Sequence, residues 1–317
     1  MKRIIRTLLC TMALGLGAAH AAYPERPITV VMPFAAGAQT DNTGRIFAEL
    51  LSAELGQSII VENRVGAHGR LASTHVSRAN PDGYTLLFTS NGTISAAPAL
   101  YKDLPYDPLK SFDHIARITN IPWVLATSRK LPVESVDQLI EYAKKHPGAL
   151  NGGYVSASSR FALYWLMKKA ELNVVEIAYK ATSQMFIGLS SGDLQFAFFT
   201  SDFAVAQAQS DTIRILGITT PEPWAGAPHL PPIAKTIPDF NVVSWLGVAA
   251  PKGTPADVLE KLENASLKVI KSDKFKEQVA KLHADVAPLG SVELGKLIES
   301  EIVMWNEFAK DAGIEPQ

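Results

Sequence analysis

The 317-residue sequence contains one cysteine, Cys10, so no intramolecular disulfide framework can hold the chain together. It has no surplus of either charge: 30 Lys and Arg stand against 31 Asp and Glu, which excludes the basic excess of a nucleic-acid-binding chain. Only 19% of residues are charged while 47% are hydrophobic, the reverse of a disordered composition. No segment after residue 21 approaches the roughly 18 uninterrupted apolar residues that a membrane-spanning helix requires. Short catalytic and metal-binding signatures are missing as well. His68, His75, His114, His146, His229 and His283 form no H-E-x-x-H or other short metal spacing, and there is neither a G-x-S-x-G elbow nor a P-loop. The expectation is a chain with no metal, no cofactor, no catalytic residue and no nucleic-acid partner.

The first 21 residues have the three parts of a secretory signal. Lys2, Arg3 and Arg6 supply the positive front, Leu8 to Gly17 the short apolar middle, and Ala19-His20-Ala21 an A-x-A cleavage site. Cleavage is expected after Ala21, with export to the periplasm of a Gram-negative-type cell. Cys10 follows Leu9, where a lipoprotein site needs a small residue, and reads as ordinary signal sequence. Losing Lys2, Arg3 and Arg6 takes the formal charge from −1 to −4 and leaves no cysteine. Such a protein depends on its apolar core alone.

At roughly 100–200 residues per domain, the length predicts two domains. Arg26 to Phe34 is a β-rich apolar run, and Ile46, Phe47, Leu50, Leu51 and Leu55 then recur at helical spacing. Strands are expected at 58–61 and 84–88 around a helix over 67–79. After residue 121 the alternation resumes, with strands at 123–126, 174–179, 194–199 and 213–218 and helices at 136–145 and 185–189. The tail from Pro255 reads as almost all helix, over 257–270, 274–282 and 292–312. Strands alternating with helices predict a parallel α/β sheet. Two extended segments, Ile121-Pro122-Trp123 and Val243 to Gly247, are the expected crossings between domains. This predicts a discontinuous first domain, 22–121 plus 246–317, closed by the C-terminal helices around a second domain, 122–245, with the ligand cleft between them.

Several segments together resemble a known family. They are Tyr23-Pro24-Glu25-Arg26-Pro27-Ile28, Val61 to Gly69, Pro81-Asp82-Gly83-Tyr84-Thr85-Leu86 and Leu104-Pro105-Tyr106-Asp107-Pro108. Further on come Ala178-Tyr179-Lys180, Ser191-Gly192-Asp193, Ala250 to Pro255 and Glu301 to Trp305. In this order the chain resembles the substrate-binding proteins of tripartite tricarboxylate transporters, the Bug or TctC-like family, over essentially all of its length after the signal. The resemblance implies an α/β periplasmic-binding-protein fold, type II-like, with two domains that close over a small organic acid.

The candidate binding residues lie where helices start. Phe34, Ala36, Gly37, Ala38, Gln39, Thr40 and Asp41 join the first strand to the first helix, where small residues let backbone N–H groups approach an anion and the helix dipole favours it. Thr40 or Asp41 is the expected helix cap. A tight, capped turn without a ligand is the alternative. The family commonly carries Pro-Gly-Gly here to help hold a carboxylate, and Ala36-Gly37-Ala38 departs from it. Ser90 and Asn91, after the third strand, read either as carboxylate or water ligands or as a polar turn. The glycine and serine stretch Gly152 to Arg160, with Ser158, Ser159 and Arg160 at its end, enters a second helix and reads as a second anion site. The family usually has Ser-His-Leu there, and Arg160 in place of His either offers a fork to a carboxylate or points to solvent or pairs with a helix neighbour. Lys180, Thr182 and Ser183 begin another helix at the family's Tyr-Lys-Gly-x-x-Pro position, with Ala181 and Gln184 departing from it. Thr200 and Asp202 end the next strand, where the family often places an Asp that shapes the pocket. Trp123, Trp165, Trp224, Trp245 and Trp305 read as core or hinge packing, with one at the cleft able to stack on an aromatic acid.

Together these residues predict a monomeric receptor without catalysis that captures a small organic carboxylate, a dicarboxylate or an aromatic acid. Its partner would be the membrane subunits of a transporter, or a sensor protein. A secreted α/β hydrolase or lyase acting on such acids is the alternative from another class.

Overall fold

The computed structural model describes residues 23–201, 207, 210–224, 226–282 and 284–316. The expected signal, 1–21, and Asp202 lie outside the described residues.

The chain opens with β1 (Ile28–Met32), α1 (Gln39–Leu55), β2 (Ile59–Asn63), a short 3-10 turn (Ala67–Gly69), α2 (Arg70–Ser77) and β3 (Thr85–Ser90). Ile28, Val30, Val31 and Met32 are all buried, the continuous apolar signature of a strand covered on both faces. A one-turn helix, α3 (Ala97–Leu100), then leads to β4 (Phe112–Ser128), a strand of 17 residues. The middle of the chain contains α4 (Val136–Lys145), β5 (Asn151–Tyr154), α5 (Ala157–Ala170), β6 (Val175–Ala178), α6 (Thr182–Ser191), β7 (Phe196–Thr200) and β8 (Ile213–Ile218). It ends with β9 (Val243–Pro251), α7 (Ala256–Lys271), α8 (Asp273–Ala280), β10 (Asp285–Leu289) and α9 (Ser291–Asp311).

The strands run in the order β2-β1-β3-β9-β4-β7-β5-β6, with β8 and β10 also on β4. The sheet is mixed, which corrects the expected parallel sheet. β1 is parallel to β2 and β3, and β5 to β6 and β7, but β9 is antiparallel to both β3 and β4. The tail is not all helical, because β10 lies antiparallel on β4. Pro288 within β10 has no N–H to give, and the register shifts between Val286 and Leu289, as an edge strand with a proline requires.

β4 serves both halves of the sheet. Its first part pairs with β9 as far as Pro122 opposite Val243, and its second pairs with β7 from Trp123 opposite Thr200. Pro122, which cannot donate a ladder hydrogen bond, sits at the point where the partner changes. Ile121 and Ser244 face each other across this pair, so the two expected crossings are one antiparallel ribbon. The sheet is thereby split into two α/β halves joined through β4 and β9.

α9 ties the halves together a second time. Leu294 and Ile298 pack with Trp245, Tyr106 and Phe112, whereas Trp305, Phe308 and Ala309 join Phe161 and Leu163 in the core against α5. The first half of α9 thus packs on the part of the sheet that holds β9, and its second half on α5. Between these contacts, Trp245 Nε1 donates to both carboxylate oxygens of Glu301, at 3.0 and 2.9 Å. Burial pushes the Glu301 carboxyl up from its ordinary 4.5 to about 7, against the opposing pull of the Ser95 hydroxyl, Trp245 and the Arg117 guanidinium. Glu301 therefore binds its proton more tightly in the folded state. Its contribution is fully present below pH 4.5 and is lost as pH rises through 7, a loss of about 3 kcal/mol. Urea unfolding of wild type and Glu301→Gln at pH 5 and pH 8 checks this: the wild type is expected to lose more stability than the variant between the two.

Candidate ligand-binding cleft

The β1–α1 loop is built around Asp41. Gly37 adopts φ +80°, and its N–H donates to Asp41 Oδ2 at 2.9 Å. Arg45 Nε donates to the same oxygen at 2.8 Å, and Asn63 Nδ2 donates to Oδ1 at 2.7 Å. The expected capping role is corrected accordingly. Ala38 is the N-cap and supplies no side-chain cap, while Asp41 is fully buried and reaches back to the loop. Burial pushes the Asp41 carboxyl up, but the hydrogen bonds from Arg45, Asn63 and Gly37 outweigh it and hold it below its ordinary 3.8. Its stabilisation is present above the ordinary carboxylate range and lost as pH falls through the lowered value. Asp41→Ala, which leaves these donors unmet, is expected to cost about 2–4 kcal/mol at pH 7, checked by urea unfolding, with the difference from wild type shrinking in acid.

A different device shapes the β5–α5 turn. Ser156 is the N-cap and accepts from the Ser159 N–H, and Ser159 Oγ accepts from the Ser156 N–H, which makes a capping box. Ser159 is fully buried, also takes the Val155 N–H at 3.0 Å, and so holds the turn. Ser158, between them, takes part in neither bond and is half-buried.

These two turns meet. A cleft of about 510 Å³ has Pro33, Phe34 and Ser90 on one side and Ser156, Ala157 and Ser158 on the other. Gly92, Thr93, Ala96, Leu100, Tyr101 and Trp305 line the rest, with Val65, Gly66, His68 and Gly69 of the turn before α2. Among the described lining residues none is Asp, Glu, Lys or Arg. The polar groups this lining offers include backbone N–H groups and the hydroxyls of Ser90, Ser156 and Ser158. The turn is strained, since Gly66, Ala67, His68 and Gly69 all have positive φ, at 144°, 46°, 54° and 88°. Two of them carry side chains, a combination that persists only where the surroundings impose it. His68 stacks on Tyr101 at 6.0 Å, and Arg70 covers the same ring at 3.9 Å.

Of the residues singled out in the sequence, Phe34, Ser90 and Ser158 line this cleft. Ala36 and Gly37 are exposed on the adjoining loop, with Ala38 at the start of α1 and Thr40 half-buried in its first turn. Gln39 Nε2 is turned to the Leu282 carbonyl. Asn91 is buried and donates to the Val243 carbonyl at 3.1 Å, at the strand ribbon rather than in the cleft. Arg160 pairs with Glu176 of β6 at 2.7 Å and reaches the Ala312 carbonyl after α9, so its partners come from other elements and not from its own helix. Lys180 and Ser183 are exposed, Thr182 is half-buried at the uncapped start of α6, and none of the three lines the cleft. Thr200 ends β7 opposite Trp123. Ser156 also lines the cleft, from the glycine and serine stretch read as a second anion site. Sequence reasoning gave no binding role to His68, Leu100 or Tyr101; Leu100 and Tyr101 had no readable signal, because only the fold brings α3 to this edge.

The model of the tripartite tricarboxylate transporter family receptor matches residues 43–314. The chain belongs to this family. Protein BugT of Bordetella pertussis is 28% identical over 316 residues, covering 98% of this chain and 96% of BugT. Among solved structures, the R. palustris protein Rpa4515 with adipate is 29% identical with a TM-score of 0.73, over 93% of this chain and 100% of that one. MatC from Rhodopseudomonas palustris, with bound malate, is 29% identical with a TM-score of 0.67, over 90% and 100%. Among the described residues, no helix of this family member is long and apolar enough to cross a membrane.

Proposed function

We propose that the protein is a periplasmic receptor that captures a small organic carboxylate, a dicarboxylate or an aromatic acid, and delivers it to the membrane subunits of a tripartite tricarboxylate-type transporter. The observation that carries this is the uncharged cleft, in which the β1 and β3 edges face the serine turn before α5. Uncharged donors suit a ligand that must be released again, because a carboxylate held by N–H and hydroxyl groups leaves no buried unpaired charge behind. The adipate and malate in two structures of the family support the ligand class. Phe34, Tyr101 and Trp305 provide an apolar wall for the carbon chain or ring between the carboxylates. We read residues 22–121 with 246–317, and 122–245, as the units that close on it, and the β4–β9 ribbon as their hinge. The protein works as a monomer that binds without chemistry, and reaches the periplasm by its cleavable signal.

Thermal unfolding of the purified mature protein against a panel of organic acids tests this. Dicarboxylates or aromatic acids are expected to raise the midpoint, with the stabilising acid recovered unchanged after long incubation. A panel without any shift counts against carboxylate capture; conversion of the acid counts against binding alone and favours the enzyme alternative.

A further inference from the structure

A second cavity, of about 300 Å³, shares Trp305 with the cleft but none of its other lining residues. Phe161, Trp165, Trp305 and Met304 give it apolar and aromatic walls, and Arg117 from β4 and Glu301 from α9 both face into it. Neither charge is fully met. Arg117 spends its Nε on the Ala287 carbonyl at 2.8 Å, and burial weakens its hold on the proton. Glu301 has its indole partner, Trp245, yet burial still dominates its carboxyl. Among the described residues no direct ion pair joins the two, so each feels the other only across the cavity. The Trp165 Nε1–H is shielded from solvent and has no hydrogen-bond partner.

Above pH 7, where Glu301 is ionised, the other charged residues of the wall keep its sum at zero, so the site is read at pH 8. Lys169 lies over the Trp165 ring at 5.3 Å, and Asp239 closes the opposite sign. A lone carboxylate entering here would meet Arg117 but stand beside Glu301, and a lone ammonium would face the reverse conflict. A molecule carrying both charges, with an apolar body, satisfies both ends at once. We propose that this cavity binds a small zwitterion, an α-amino acid with an apolar side chain, its carboxylate on Arg117 and the Trp165 N–H and its ammonium on Glu301. The aromatic walls take the side chain, and the ammonium gains from the same π faces. This site is independent of the carboxylate cleft and stands whether or not that cleft binds an acid.

Calorimetry of the full mature chain with L-leucine and L-phenylalanine tests it, with 4-methylpentanoate and 3-methylbutylamine as leucine analogues that each lack one charge. One equivalent of at least one amino acid is expected to bind, and leucine at least tenfold more tightly than either analogue. Met304→Trp, which fills the cavity, is expected to weaken the amino acid at least tenfold. Ser158→Trp, which blocks the cleft, leaves it unchanged. Glu301→Gln, which keeps the shape, is expected to narrow the gap between leucine and 4-methylpentanoate, and it carries the test if Met304→Trp does not fold. The proposal is overturned if neither amino acid binds and the cavity holds water only. It is equally overturned if binding survives Met304→Trp, if it is lost in Ser158→Trp, or if Glu301→Gln leaves leucine's advantage intact.

Discussion

Trp305→Ala is expected to destabilise the protein by about 3–5 kcal/mol, the cost of removing a large buried aromatic side chain and leaving its cavity. Trp305 is 3% exposed, stacks on Phe161 at 4.5 Å and meets Phe308 edge-on at 5.6 Å. The ring contacts add about 0.5–1.5 kcal/mol beyond the area they bury. Collapse cannot close the gap cheaply, because the ring stands between the C-terminal helix and α5 while α9 is also anchored by Leu294 and Ile298 in the other half. Urea unfolding gives the magnitude. A second consequence separates Trp305 from an ordinary core residue: it lines both cavities, so ligand affinity is expected to drop in the variant at temperatures where it is fully folded. Destabilisation below about 1 kcal/mol would show that α9 does not hold the two halves together.

Ser158→Trp is expected to weaken carboxylate binding at least 100-fold, about 2.7 kcal/mol or more, with little change in stability. Ser158 sits between the two serines of the capping box but belongs to neither bond of it, and its side chain faces the cleft. An indole placed there occupies the space between the α5 turn and the Phe34 loop without disturbing Ser156 or Ser159. Arg160→Ala gives the contrast. Its guanidinium is committed to Glu176, so ligand affinity is expected to change less than threefold, measured by the same calorimetric titration.

The helices and the outer strands were legible because burial writes a period into them. Ile28 to Met32 read as a strand from composition alone, and the apolar spacing along α1 matched its buried face, including Phe47 and Leu51. Strands whose register is imposed from elsewhere were not legible. β5 is Asn151-Gly152-Gly153-Tyr154, with low intrinsic strand preference, and is held by β6 and β7 on either side. Its glycines make room for Leu163 and Leu194, a packing requirement that local sequence cannot reveal. The first half of β4 carries Asp113, His114 and Arg117, and only its neighbours β9 and β10 make it a central strand.

The site shows the same division. Helix starts were readable, so the two facing turns were found, and Phe34, Ser90 and Ser158 came with them. Side-chain commitments were not readable. Asp41, Ser159 and Arg160 have the chemistry of ligand-binding groups, yet each is engaged by a partner, at Arg45 and Asn63, Ser156, and Glu176, some of them distant in sequence. The turn residue His68 and the aromatic wall residue Tyr101 belong to segments whose meeting is a property of the fold.

In the proposed receptor, one cleft without Asp, Glu, Lys or Arg among its described lining residues holds a carboxylate through the N–H and hydroxyl groups of two facing turns. An amide NMR titration of ¹⁵N-labelled mature protein, with the acid that stabilises it most, tests this directly. The largest shifts are expected at 34–38, 90–93 and 156–158, with the Arg160 and Lys180 amides moving less. Shifts confined to Arg160 and Lys180, or spread with no maximum at the two turns, would contradict it.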